Sequence, residues 1–99
     1  MAPRQQLHDI LTAITPNVYF QPPENVRMEY PCIVYNRDFL DSKFADNEPF
    51  SLTKRYMVTV IDRDPDSEIP DKVAELPMST FNRFFAADGL NHDVYQVFF

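Results

Sequence analysis

The sequence predicts an α+β fold: one small domain over residues 1–99, with a mostly antiparallel sheet of about four to six strands and two helices packed on one face. Three observations predict it. Leu7, Ile10, Leu11 and Ile14 recur at the i, i+3, i+4, i+7 spacing of an amphipathic helix. Tyr56 to Ile61 is a β-branched run that stops in an acidic turn and feeds a second helical pattern. Two further short apolar segments come before the chain ends. The order helix, strands, helix, strands suits helices layered on one face of a sheet. Ninety-nine residues leave no room for a second core.

Each element has its own local signals. The first helix is predicted over 3–14, with Pro3 tolerated in the first turn and Pro16 ending it. Residues 18–21 form a short extended piece stopped by Pro22 and Pro23. Residues 30–37 read as a strand with apolar groups on both faces, and Pro31 marks its start or a sheet edge. Residues 39–44 pair with the next extended segment, in a register the sequence leaves open. Asp46, Asn47, Glu48 and Pro49 signal a turn.

Residues 50–62 form the longest strand. Tyr56, Val58 and Val60 share one face, which is expected to meet a helix; Met57, Thr59 and Ile61 give a mixed opposite face. Asp64 to Ser67 is a turn, and Ser67 or Asp66 can cap a helix over 68–76. Glu68 and Asp71 lie in its first turn, where the helix dipole favours anions, and Ile69, Val73 and Leu76 are its apolar face. Pro77 ends it. Residues 80–85 alternate, with Phe81, Arg83 and Phe85 opposite Asn82 and Phe84; residues 86–93 read as a polar loop; residues 94–99 are a final strand. With one glycine against nine prolines, tight hairpin turns that need positive φ are expected to be rare.

Composition narrows the function classes. The formal charge is −6 and the isoelectric point about 4.6, so tight binding of polyanions is not expected. An acidic surface does suit a protein that lets DNA pass without holding it. A single cysteine, Cys32, cannot form an internal disulfide, which favours a reducing compartment. The N-terminus lacks an apolar signal core and no run is long enough to span a membrane, so a soluble protein not exported by a cleaved signal is expected.

Candidate chemistry is sparse. Asp62, Asp64, Asp66 and Glu68 alternate like the oxygen ligands of a calcium loop. The match fails where such a loop needs glycine, at Ser67, and where it needs a bidentate glutamate, at Val73. An acidic turn with a helix cap is the better reading, and neither metal nor cofactor is expected. His8 and His92 each neighbour an acid, but adjacent residues do not face each other on a helix. A nucleophilic arrangement of Cys32, His92 and Asp93 is allowed by spacing and supported by no local motif. Lys54, Arg55 and Arg63 flank the long strand; with an acidic chain around them, a protein partner surface is favoured over a nucleic-acid patch. The terminal run through Tyr95, Phe98 and Phe99 is apolar for a chain end, so it is a buried strand or pairs with a neighbouring subunit.

Six stretches follow one another along nearly the whole chain: Asn17-Val-Tyr-Phe-Gln-Pro-Pro, Met28-Glu-Tyr-Pro-Cys-Ile-Val-Tyr, Phe44-Ala-Asp-Asn, Lys54-Arg-Tyr-Met-Val-Thr-Val-Ile-Asp-Arg-Asp-Pro-Asp-Ser, Ile69-Pro-Asp-Lys and Leu90-Asn-His-Asp. In this ordered combination the chain resembles the tail-completion, or tail-terminator, proteins of tailed bacteriophages. The resemblance implies a structural virion protein, not an enzyme. It implies a ring, usually of six subunits, on the head-proximal end of the tail tube. Such a ring stops tube-protein polymerisation, meets the neck of the filled head, and lets viral DNA through its centre without specific binding. The expected partners are other copies of the chain, the tube protein and a neck or head-completion protein, with assembly in the host cytoplasm and no membrane. Six copies of a −6 chain carry about −36, so Asp62, Asp64, Asp66 and Glu68 are candidate channel-lining acids. A ring contact is heterologous and needs two different patches. Phe39, Phe44, Lys54, Arg55, Arg63, Tyr95, Phe98 and Phe99 are the candidate interface residues, on sheet edges expected near 39–44 and 94–99. A head-closure or head–tail joining protein of the same particle is the alternative.

Overall fold

In the computed structural model, residues 4–22, 27–45, 48–77 and 79–99 are described, with the backbone alone over 39–45 and 48–53. The elements are α1 (Arg4–Ile14), β1 (Val18–Phe20), β2 (Cys32–Ala45), β3 (Glu48–Asp62), α2 (Ile69–Ala74), β4 (Ser79–Ala87) and β5 (Leu90–Phe98). The five strands form one sheet in the order β1-β2-β3-β5-β4. β1 runs parallel to β2, and the other three pairings are antiparallel. The fold is therefore α+β.

The register builds the core. Ile33 lies opposite Val60, Tyr35 opposite Val58, and Val58 in turn opposite Tyr95. Directly paired residues share a face, so these side chains form one apolar surface. Leu7 and Leu11 of α1 and Val73 of α2 pack on it, and all three are fully buried. The face of Tyr56, Val58 and Val60 thus meets the helices, as its alternation predicts. Ile10, although in the α1 stripe, stays 38% exposed on the shoulder of the helix. The mixed face is not wholly polar: Cys32, Ile61 and Val94 are buried on it.

A polar contact ties α1 to the sheet. Arg4 donates from Nη1 to the Tyr35 hydroxyl at 3.1 Å, and that hydroxyl lies 2.7 Å from His8 Nδ1. The Arg4 guanidinium also covers the Phe20 ring at 4.3 Å. A buried hydroxyl needs such partners, because losing water without replacement is costly.

Several boundaries differ from the sequence expectation. β2 does not stop at Arg37 but continues to Ala45, crossing two irregularities, between Arg37 and Phe39 and between Lys43 and Phe44. β3 begins at Glu48 rather than after Pro49; Asp46 and Asn47 of the expected turn lie outside the described residues. α2 is shorter than 68–76 and takes Glu68 as its N-terminal flank, with no side-chain cap from Glu68 itself. Ser67 Oγ nonetheless accepts the Ile69 N–H at 3.3 Å. The expected loop over 86–93 is a tight hairpin. Asp88 (φ 54) and Gly89 (φ 74) form its two-residue turn, and both flanking stretches are strand. Two successive positive φ values are what an Asp-Gly turn supplies.

β4 also departs from simple alternation. A register shift between Phe81 and Arg83 leaves Asn82 without a cross-strand partner. Phe81 opposes Tyr95 and Phe84 opposes Asp93, so Phe81 and Phe84 share the helix-bearing face. Arg83 and Phe85 take the other. β5, the terminal strand, lies between β3 and β4, so 94–99 is an interior strand and not the sheet edge expected for it.

The β2–β3 hairpin outgrows the rest of the sheet. β1 pairs only with Ile33, Val34 and Tyr35, and β5 reaches β3 only up to Arg55, with one further bond from the Phe99 N–H to the Lys54 carbonyl. Residues 39–45 and 48–53 therefore form a two-stranded arm with no third strand among the described residues. The molecule measures 51 × 27 × 23 Å, and its radius of gyration of 14.6 Å exceeds the roughly 13 Å of a compact chain this long.

Candidate functional site

The acidic turn stands at the end of β3, where the chain leaves the sheet. Asp62 Oδ1 accepts the Asp64 N–H at 3.0 Å and Asp64 Oδ1 accepts the Asp66 N–H at 2.9 Å. Each carboxylate thereby satisfies the backbone two residues on, the local chemistry that makes Asp a turn former. Asn91 Nδ2 donates to the Arg63 carbonyl at 3.4 Å and links the turn to the start of β5.

The sheet adds acids that linear spacing could not assign to this place. Val60 opposes Asp93 and Asp62 opposes Asn91, which brings Asp93 beside the turn, and α2 contributes Asp71. Asp62, Asp64, Asp66, Asp71 and Asp93 line one open crevice of about 420 Å³, with Phe84 and Tyr95 as its apolar wall. Glu68 is exposed and lies outside that lining. Burial raises the Asp93 pKa above the ordinary aspartate value, and the Asp71 carboxylate raises it further against the opposing pull of His92. Among the described residues, no three His, Cys, Asp or Glu side chains converge closely enough to hold a metal ion.

The Cys32–His92–Asp93 arrangement does not form. Cys32 opposes Ile61, and Ile61 opposes His92, so one strand separates thiol from imidazole, about 10 Å at sheet spacing. Asp93 faces the other side of the sheet. Cys32 is fully buried, and burial, with a smaller contribution from Asp62, pushes its thiol up to about 11. His92 instead stacks on Phe85, with ring centroids 4.4 Å apart and planes 9° apart.

The candidate interface residues scatter. Phe39 and Phe44 sit on the arm. Lys54 and Arg55 lie where the arm enters the sheet, and Arg55 Nε meets Asp38 Oδ1 at 3.1 Å. Arg63 is exposed, its guanidinium 5.7 Å from the Tyr30 ring centre. Tyr95 is a correction: it is 4% exposed, belongs to the core, and opposes Phe81 across the β4–β5 pairing. Phe98 and Phe99 are half-buried and line an apolar cleft of about 290 Å³ with Leu7, Ile10 and Leu76.

The most exposed large apolar side chains among the described residues were not among the expected sites. Every residue of β4 after Ser79 is exposed, and Phe81, Phe84 and Phe85 are 55%, 55% and 38% exposed. β4 is also the last strand of the sheet, so its outer hydrogen-bonding edge is open among the described residues. Large apolar residues on an open edge are uncommon in a protein that works alone. The three phenylalanines are visible in the sequence, but only the strand order tells that no described strand lies beyond them.

No helix among the described residues is long and apolar enough to cross a membrane. No family model fits the chain, and no curated sequence is significantly similar to it.

Proposed function

We propose that this chain is a structural part of a tailed-phage particle. In this reading it forms a ring at the head-proximal end of the tail tube, stops tube growth and presents a surface to the neck, without catalysis. The observation that carries the reading is a pair of unlike open surfaces among the described residues of one subunit: a β4 edge with exposed phenylalanines, and a hairpin arm that outgrows the sheet. A heterologous ring needs two such surfaces and a symmetric dimer needs one. The ordered motif resemblance supplies the identity of the ring.

The acidic crevice supports the passage of DNA. Five carboxylates gathered on one side of each subunit would give a ring a strongly negative wall, which repels phosphates. In this reading Asp62, Asp64 and Asp66 rim the channel, joined by Asp71 and Asp93. A ring with all of them on its outer wall would remove that part of the reading.

The test is electron microscopy of purified tail tubes mixed with the protein. A sixfold cap at one tube end, with growth arrested, is expected. Binding only to the portal vertex of filled heads would replace the terminator reading with that of another neck component.

A further inference from the structure

We propose that copies of this chain join head to tail by sheet extension, the open β4 edge of one copy pairing with residues 39–45 of β2 in the next. This deepens the ring reading and takes from it only the number of copies.

Each half of the contact lacks something the other supplies. The arm is a two-stranded ribbon among the described residues, and such ribbons are marginal in water until a third strand or a packed face joins them. Its sequence nonetheless holds Phe39, Leu40, Phe44, Phe50 and Leu52. The β4 edge offers unpaired backbone groups beside Phe81 and Phe84, with Arg83 its one charge and the bulge at Asn82 its one blunting device. Sheet extension satisfies both, because main-chain groups on one edge are complementary to those on any other.

Geometry favours a second copy as the occupant. β4 has nine residues, about 30 Å of edge, and 39–45 offers about 23 Å. β4 closes the sheet on one flank, while beyond Tyr35 β2 is the outermost strand on the other. Among the described residues the two open edges therefore lie on opposite flanks of the sheet, so a contact between them is head to tail. A contact between unlike surfaces repeats from copy to copy and closes into a ring when the rotation divides a full turn.

Complementation tests this. The first variant replaces residues 41–53 by Asn-Gly, joining the cross-strand partners Leu40 and Lys54 through a two-residue turn. The second is Phe81→Lys with Phe84→Lys. Circular dichroism and thermal melting check that each folds. In sedimentation, the unaltered chain is expected to assemble, each variant alone to stay monomeric, and their equimolar mixture to give a heterodimer, since one intact arm then meets one intact edge. Self-association of the arm-shortened variant would mean a symmetric edge contact and overturn the proposal, as would an unaltered chain that stays monomeric at its highest soluble concentration.

A second measurement does not depend on those variants folding. Thr80→Cys is combined with Ser42→Cys or Lys43→Cys in otherwise full chains, and cross-linked on tail tubes and in free solution. Intersubunit products between β4 and the arm are expected, with Cys32 buried and silent. A sixfold tube cap without any such product would sink this inference and leave the terminator reading. Cross-linked assemblies that never cap a tube would do the reverse.

Discussion

Replacing Tyr35 by phenylalanine isolates the polar tie between α1 and the sheet from the packing around it. Tyr35 is fully buried, and its ring lies 4.9 Å from that of Phe20 and 6.0 Å from that of Tyr56. Phenylalanine keeps those contacts and removes only the oxygen that Arg4 and His8 share at 3.1 and 2.7 Å. A hydrogen bond to a charged group contributes about 1.5–3 kcal/mol and a neutral one about 0.5–1.5. Arg4 and His8 are only partly buried, so water can take up both partners in the variant. The expected loss is therefore about 1–2 kcal/mol, at the low end of the combined range. Tyr35→Ala also removes the ring and should cost about 3–5 kcal/mol, the range for emptying an aromatic site in a core. Urea denaturation at fixed protein concentration reads both, since self-association would make stability depend on concentration. The midpoint should move with m unchanged. A phenylalanine variant as damaged as the alanine variant would refute the division between tie and packing. One indistinguishable from the parent would show that the Arg4–Tyr35–His8 contact contributes nothing net.

Three further outcomes rest on local chemistry. Gly89→Ala should lower stability by about 1 kcal/mol, roughly 4–8 °C in Tm, because Gly89 has φ 74 and a Cβ there meets nothing within 4 Å, which leaves backbone strain as the sole cost; a neutral melt would refute the tight-turn assignment. Asp93→Asn should raise Tm near pH 7 and leave it unchanged near pH 3: a carboxyl with a raised folded pKa contributes stability below its unfolded pKa and loses it as pH rises through the folded one. An asparagine variant that melts lower than the parent at neutral pH would refute the burial argument. Alkylation of Cys32 near neutral pH should be at least about a hundredfold slower in the folded chain than in urea, since a thiol pushed from 9.0 to about 11 loses that factor in thiolate before access is counted; mass spectrometry of time points checks this.

Local patterns carried much of the fold. The α1 stripe, the paired faces of β3, the short α2 and the α+β order of the elements all come from periodicity and proline placement, which act within a few residues and need no partner. The acidic turn is equally local, because each aspartate bonds its own backbone two residues on. The Asp88–Gly89 hairpin was legible too: an Asp-Gly pair between apolar runs is a turn signal, and the scarcity of glycine masked it.

Tertiary structure alone decided which surfaces remain unused. Strand order put β5 inside the sheet and β4 outside, which moved Tyr95 into the core and left Phe81 and Phe84 uncovered. A bulge at Asn82 reversed which residues of β4 share a face. Cross-strand register gathered Asp71 and Asp93 with the acidic turn and kept Cys32 apart from His92. Strand pairing joins residues far apart in the chain through backbone groups that are the same at every position. The side-chain sequence therefore records that a segment is a strand, whereas its neighbour, and the edge left open, are settled by how the whole sheet buries its apolar face.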